Sequence, residues 1–266
     1  MTTSVRTTPI PRVTAVTRGV VGSVVFMFLL EVAVRTGVVG SASLPLPSEV
    51  VARTFEMLVD PAVWSEIMAT MKSWALGLLV AGVVGVGLGM LLGSWKLLAR
   101  MSRGPIELLR PLPAVAIAPL LLSLLGRGVV SRSLAVAYAA LWPILFNTIY
   151  GMRSVDPVAK ETARSFGLGS FGVLTRVTMP AMSPFVFTGL RVASAIALIV
   201  AVSVEFLLPG GDEAGLGGIV VEAQVGGDLL TMYATVVIAG LLGLATNAAL
   251  VAIERRAFDW RRGLAQ

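Results

Sequence analysis

The sequence predicts an all-α polytopic membrane protein, and three observations carry that reading. Of 266 residues, 56% are hydrophobic before any of the 28 glycines is counted, only 14% are charged, and the mean hydropathy is +0.88. A soluble domain holds about 45–50% apolar residues with glycine included and about 25% charged ones, so this composition fits lipid as its solvent. Apolar runs approaching the ~20 residues needed to cross a bilayer recur about six times. The Lys and Arg residues, third, gather between alternate runs.

In order, the expected spans run from about Gly19 to Val34, Trp74 to Gly93, Leu108 to Leu125, Leu134 to Tyr150, Pro184 to Leu208 and Leu229 to Ile253. The first follows Arg6, Arg12 and Arg18, and the small residues Gly40, Ser41, Ala42 and Ser43 imitate a cleavage region. A signal peptide therefore competes with an uncleaved span, and the multi-span remainder favours the span. In the second, Gly77, Ala81, Gly85, Gly89 and Gly93 recur every four residues, a small-residue stripe suited to close helix contact. Pro111, Pro113 and Pro119 interrupt the third and Pro143 the fourth, either as simple kinks or as broken backbone beside a pathway. Two linkers remain. Residues 35–73 carry Pro45, Pro47 and Pro61 with Val50, Val51, Phe55 and Leu58 between them, which suits an interfacial helix or a solvated loop. Residues 209–228 carry Asp212, Glu213, Glu222 and Asp228 without a single Lys or Arg. The chain thus divides into a cytoplasmic tail (1–18), one transmembrane domain (19–253) with a cytoplasmic loop at 151–180, and a second cytoplasmic tail (254–266).

With the N-terminus cytoplasmic and the spans alternating, fifteen of the 21 Lys and Arg fall inside. They are Arg6, Arg12 and Arg18; Lys96, Arg100, Arg103 and Arg110; Arg153, Lys160, Arg164 and Arg176; and Arg255, Arg256, Arg261 and Arg262. Arg35, Arg53, Lys72, Arg127 and Arg132 fall outside. The positive-inside rule accounts for this asymmetry, so the net charge of +6 needs no nucleic acid.

The chain has no histidine and no cysteine, which removes imidazole and thiolate metal sites, Cys/His nucleophiles and the Ser-His-Asp triad. A carboxylate-only metal site stays open, although the acids are scattered and no metal is expected. The residues before Lys72, Lys96 and Lys160 are Met71, Trp95 and Ala159, so no Gly-Lys-Ser/Thr phosphate cradle exists. The chain is not expected to be an enzyme or to hold a cofactor, and any ATP it uses is bound elsewhere.

The loop after the fourth span is the most informative. It runs Arg153-Ser154-Val155-Asp156-Pro157-Val158-Ala159-Lys160-Glu161-Thr162-Ala163-Arg164-Ser165-Phe166-Gly167 and on to Met179-Pro180. Asp156 is an N-cap, Pro157 a first helical residue and Gly167 a left-handed terminator. A short helix so bounded reads as a docking element for a partner's groove or as an interfacial linker.

Glu161-Thr162-Ala163, Gly167 and Met179-Pro180 resemble the EAA loop of ABC importer permeases, with Thr162 and Met179 as departures from the usual alanine and leucine. Arg110-Pro111-Leu112-Pro113 with Pro119, Asn147-Thr148, Gly151-x-Arg153-Ser154-Val155-Asp156-Pro157, Gly189-Leu190-Arg191, Glu205, Gly215-Leu216-Gly217 and Ile253-Glu254-Arg255-Arg256 resemble the nitrate/sulfonate/taurine-type group, over about residues 70–262. The resemblance implies a type I ABC importer permease bundle in the bacterial inner membrane. It would work with two ATPase copies that bind ATP and Mg, a second copy or paralogous permease, and an extracytoplasmic binding protein. Asp156, Pro157, Lys160, Glu161, Ala163, Arg164, Gly167 and Pro180 would form the ATPase-coupling segment, with Arg153 adding a polar contact. The cargo would be a small solute such as a sulfonate, nitrate, taurine or an aromatic acid.

Intramembrane ionisable groups are functional candidates by default. Arg191 and Glu205 are 14 residues apart, about 21 Å along a helix, so they share a face without pairing. Arg191 is read as a structural hydrogen-bonding or gating group ahead of a substrate contact. Glu205, near the outer end, is left open between binding-protein contact, gate and water. Glu31 and Arg35 can meet one turn apart. Asn147, Thr148, Ser194 and Ser203 are pathway candidates that equally serve interhelical bonding. Trp64, Trp74, Trp95 and Trp260 read as interfacial anchors. The rival readings are an ion-coupled secondary transporter and a non-transporting membrane scaffold.

Overall fold

A computed structural model describes residues 12–38, 44–207 and 214–258. Arg6, the small residues 40–43, Asp212, Glu213, Trp260, Arg261 and Arg262 lie outside the described residues. Within them all regular structure is helical. The helices are α1 (Arg12–Arg35), α2 (Pro47–Val59), α3 (Pro61–Ser94), α4 (Lys96–Met101), α5 (Arg103–Leu109), α6 (Ala114–Leu125), α7 (Val129–Ser154), α8 (Pro157–Ser165), α9 (Ser170–Val173), α10 (Met179–Leu207), α11 (Gly215–Val225) and α12 (Leu229–Ala257). A π-turn at Leu174–Thr178 joins α9 to α10 into one continuous rod. Among the described residues, five helical segments are long and apolar enough to cross a membrane, or six if the bent α5–α6 pair counts as one.

Three boundaries differ from expectation. The second span begins at Pro61, not Trp74, because Asp60 accepts from the Ala62 amide at 2.9 Å and Pro61 takes the first helical position. At 34 residues α3 is about 51 Å long, well beyond a ~30 Å hydrocarbon core, so its first turns stand on the outer side. Both supposed linkers are largely structured, since 35–73 holds α2 and the start of α3, and 209–228 holds α11. The third span is no straight helix. Pro111 and Pro113 sit in its break, α5 and α6 meet at 90°, and α6 alone has 12 residues, about 18 Å.

Two packing centres organise the chain. The larger joins α3, α6, α7 and α10 through Ala81, Ala118, Ala135, Ala140, Ala193, Ala197 and Ala201 around Ile144. Side chains this short let backbones approach, which is how helices associate where lipid removes the hydrophobic drive. The glycine stripe of α3 is the tightest part of that contact. A Cβ at Gly77 would lie 2.5 Å from Val136, one at Gly89 2.5 Å from Thr148, and one at Gly93 2.6 Å from Met152, all on α7. The smaller centre, on the outer side, gathers Met57, Val63, Ile67, Leu216, Ala234 and Ile238 from α2, α3, α11 and α12. α1 is attached lightly, by Glu31, which accepts from the Ser48 amide and hydroxyl at 3.0 and 2.9 Å and pairs with Arg35 at 2.7 Å. Its Val24, Phe26, Phe28 and Leu29 remain exposed, as lipid-facing side chains do.

Candidate functional site

The cytoplasmic loop folds as a helix closed at both ends. Asp156 Oδ1 accepts from the Val158 amide at 2.9 Å, and Pro157 opens α8. At the other end Gly167 adopts φ +82°, the left-handed conformation that glycine enters without a Cβ penalty. The Leu168 amide then reaches the Ala163 carbonyl at 3.2 Å and the Gly167 amide that of Arg164 at 2.9 Å, the paired bonds of a Schellman motif. Ala163 is the buried residue of α8, and Lys160 Nζ donates to the Met152 carbonyl at 3.3 Å, tying α8 to the end of α7. Glu161, Thr162 and Arg164 face outward, with Val158, Phe166 and Phe171 exposed at 64%, 83% and 79%. Exposed apolar side chains rimmed by charge on a structured loop are the kind of surface on which protein partners dock. Pro180 lies at the start of α10, just past the π-turn.

Arg191 and Glu205, the two intramembrane charges, belong to separate assemblies. Arg191 meets Glu254 at 3.2 Å and so links α10 to α12, both groups staying part-exposed. Glu205 is fully buried, and it reaches neither water nor an outer surface. Its Oε2 accepts from Thr70 Oγ1 at 2.8 Å and from the Gly217 amide at 3.2 Å, and its Oε1 lies 3.7 Å from Arg132. Thr70 Oγ1 in turn accepts from the Leu216 amide at 2.9 Å, and Glu66 accepts from the Gly215 amide. The first three amides of α11, which have no partner within their own helix, are thus capped by α3 and α10. The glycines are required here. Gly215 has φ +76°, and a Cβ on Gly217 would lie 2.4 Å from the Phe206 nitrogen and the Val202 carbonyl.

Asn147, Thr148 and Ser194 lie in helix seams. Asn147 Nδ2 donates to the Pro143 carbonyl at 2.8 Å beside Gly189, and Thr148 Oγ1 to the Ile144 carbonyl at 2.7 Å against Gly89. Ser194 is 2% exposed, and its carbonyl accepts from Trp74 Nε1 at 3.1 Å. Trp74 is accordingly an interhelical tie, not an interfacial anchor, because α3 extends past it on the outer side. Ser203 bonds back to Ile199 at 2.8 Å. Sequence reasoning missed Glu66, Thr70 and Arg132 as partners of this cluster. Glu66 and Thr70 stand one turn apart on one face of α3, a signal visible only once Asp60-Pro61 is taken as a helix start.

The family of binding-protein-dependent transport system inner membrane components matches residues 85–259. A Methanocaldococcus jannaschii protein named as an ABC transporter permease is 37% identical over 186 residues, covering 70% of this chain and 69% of its own. An aliphatic sulfonates transport permease protein of Bacillus subtilis, SsuC, is 26% identical over 92% of this chain and 87% of its own length. The nitrate import permease protein NrtB of Leptolyngbya laminosa is 26% identical over 79% of this chain and 77% of its own. In fold, the chain is similar to a chain of the MetNI methionine ABC transporter in an inward-facing conformation. The TM-score is 0.63 at 16% identity, over 74% of this chain and 98% of that one. A match across two-thirds of the sequence places this chain in the family of binding-protein-dependent transport system inner membrane components, as a permease subunit of an ABC transporter.

Proposed function

We propose that this permease forms half of a solute pathway across the cytoplasmic (inner) membrane, paired with a second copy or a paralogous permease. Two ATPase subunits, which would carry ATP and Mg, drive it, and an extracytoplasmic binding protein delivers the cargo. The observation that carries this reading is α8, a helix capped at both ends, tied to α7 and presenting Glu161, Arg164, Val158 and Phe166 outward. Asp156, Pro157, Gly167 and Pro180 set its ends and approach, Ala163 seats it, and Lys160 fixes its angle to α7. When ATP draws the two ATPases together, the attached bundles rock between inward-open and outward-open populations. The sulfonate and nitrate relatives favour a small oxyanion as cargo, while Arg191 and Glu205 hold helices together and gate that motion.

The test is co-purification of the full chain with its cognate ATPase, followed by uptake in reconstituted vesicles. Glu161→Lys and Gly167→Val lose the ATPase while the permease stays monodisperse. Uptake by wild-type permease with no ATPase present would establish the ion-coupled reading instead, and ATPase binding without uptake of any solute the scaffold reading. Thermal shift of the cognate binding protein against sulfonates and nitrate checks the cargo class.

A further inference from the structure

At the end of α3 opposite Glu66 and Thr70, four cations converge without carboxylate partners. Lys96, Arg100 and Arg103 from α4 and α5, with Arg153 from the end of α7, line a half-open cavity of about 450 Å³ whose back is Leu92, Gly93 and Ser94. None of the four forms an ion pair among the described residues. A second cavity of about 250 Å³ adjoins it, sharing Leu92, Ala99, Arg103 and Arg153, and its floor is apolar through Ile106, Phe146 and Ile149. Glu107 is the one acid there, and Arg110, stacked 4.8 Å over the Phe146 ring, adds another cation. On the outer face of the same two short helices Leu97, Met101 and Leu108 are 67%, 68% and 75% exposed. A stripe of cations beside a stripe of bare apolar side chains, on helices at the end of a membrane span, is the pattern of an interfacial element.

We propose that this cavity is a binding site for the headgroup of an anionic phospholipid of the cytoplasmic leaflet. The phosphate lies among Lys96, Arg100, Arg103 and Arg153, and the glycerol and first acyl carbons follow the apolar floor and the Leu97–Met101 face. A free anion would use the cations but leave the floor and the exposed leucines without a role. Both halves of the site therefore favour an amphiphile. Basic pockets on the cytoplasmic side of membrane helices bind such headgroups for this reason, and each cation near an anionic surface is worth about fivefold in affinity.

The test uses the full chain in neutral detergent, titrated with phosphatidylglycerol and with phosphatidylcholine, bound lipid being counted by native mass spectrometry. Wild type retains phosphatidylglycerol in preference to phosphatidylcholine. Arg100→Gln with Arg103→Gln weakens phosphatidylglycerol about thirtyfold, whereas the charge-matched pair Arg255→Gln with Arg256→Gln, on the exposed end of α12, changes it less than threefold. Lys96→Gln with Arg100→Gln replaces the first pair if that pair does not yield monodisperse protein. Equal loss in both pairs would reduce the effect to general attraction and overturn the site. Displacement of the lipid by millimolar inorganic phosphate would assign the cavity to a free anion, and unchanged lipid with loss of ATPase co-purification would assign it to the ATPase interface; either result overturns the proposal.

Discussion

Gly87 and Gly89 lie two residues apart on α3 and face opposite ways, which isolates the steric requirement of the α3–α7 seam. A Cβ on Gly87 meets nothing within 4 Å, whereas one on Gly89 falls 2.5 Å from Thr148 Cβ and 3.2 Å from the Leu145 carbonyl. Thr148 Cβ is bonded to the backbone, so no rotamer relieves the overlap and the helices must part by about 1 Å locally. Leucine at both positions gains the same helix propensity, roughly 0.8 kcal/mol over glycine, so that gain cancels in the comparison. What remains for Gly89→Leu is overpacking, about 3 kcal/mol at a site whose first added atom already overlaps. At roughly 2–4 °C per kcal/mol for a chain of this size, Gly89→Leu lowers Tm by about 6–12 °C relative to Gly87→Leu. Tryptophan fluorescence of the detergent-solubilised chain, at fixed lipid content and scan rate, reads the difference. Exchanging the small residue across the seam, Gly89→Ala with Thr148→Gly, recovers part of the loss suffered by Gly89→Ala alone. Equal Tm values for the two leucine variants would refute close packing as the role of the stripe.

Three further outcomes are expected. Gly167→Ala strains a residue at φ +82° by about 1–2 kcal/mol and loosens the end of α8, so ATPase stimulation falls while the Tm of the permease drops by roughly 2–8 °C. Glu205→Ala leaves the Gly217 amide without its acceptor, while Thr70 Oγ1 still holds the Leu216 amide, so hydrogen exchange at Gly217 rises at least tenfold, about 1.4 kcal/mol of lost protection, and exchange in α8 is unchanged. Asp228, the N-cap of α12, has its carboxyl held below the usual range by bonds from the Thr231 hydroxyl and amide and by the nearby Arg53. A depressed folded-state value means that its stabilisation is complete above about pH 4 and disappears as pH falls through that depressed value; Asp228→Asn flattens this acid limb of a Tm-against-pH curve.

What could be read in advance was local. The ends of α8 are set by residues within five positions of one another, Asp156 with Val158, Gly167 with Arg164 and Leu168 with Ala163, and cap chemistry of that range is written in sequence. The α3 stripe is likewise a single-helix periodicity, and α7 had only to fit it. Glu205 is the opposite case. Its partners Thr70 and Arg132 come from other helices, and the Gly217 amide it caps belongs to a stretch with too few apolar residues to read as a span. No periodicity along α10 announces such a site. The start of α3 was hidden for a related reason, since Ser65, Glu66, Thr70 and Lys72 lower the apolar average of a segment whose Asp60-Pro61 signal is nonetheless plain. The proline pair 111 and 113 marked a break, but its 90° angle depends on how α6 packs on α7, which is a tertiary matter.

The same packing decides how a displacement of α8 would spread. Val155 is buried at the junction of α7 with α8 and Lys160 is bonded back to Met152, so α8 cannot tilt without moving the end of α7. Along its length α7 meets α3 through Gly77, Gly85, Gly89 and Gly93 and meets α10 through Gly151 and Gly189, at separations with no slack for side chains to absorb motion. On the proposed coupling reading, a push on α8 would pass through α7 to α3 and α10, and these three helices would move together. α11 goes with them, because its amides are held by Glu66 and Thr70 on α3 and by Glu205 on α10. α12 does not share that constraint on the cytoplasmic side, where its ion pair to the bundle is the part-exposed Arg191–Glu254 contact. A single part-exposed ion pair is a slighter tie than the glycine seams, and on the proposed reading it is the contact that breaks and re-forms as the body rocks. Replacing Arg191 by Lys keeps the charge but loses the guanidinium geometry, and should shift the balance between inward-open and outward-open populations without separating the permease from its ATPase; distance measurements between labels on α8 and on the cytoplasmic end of α12 would register that shift, and an unchanged distance distribution would refute a yielding contact at this position.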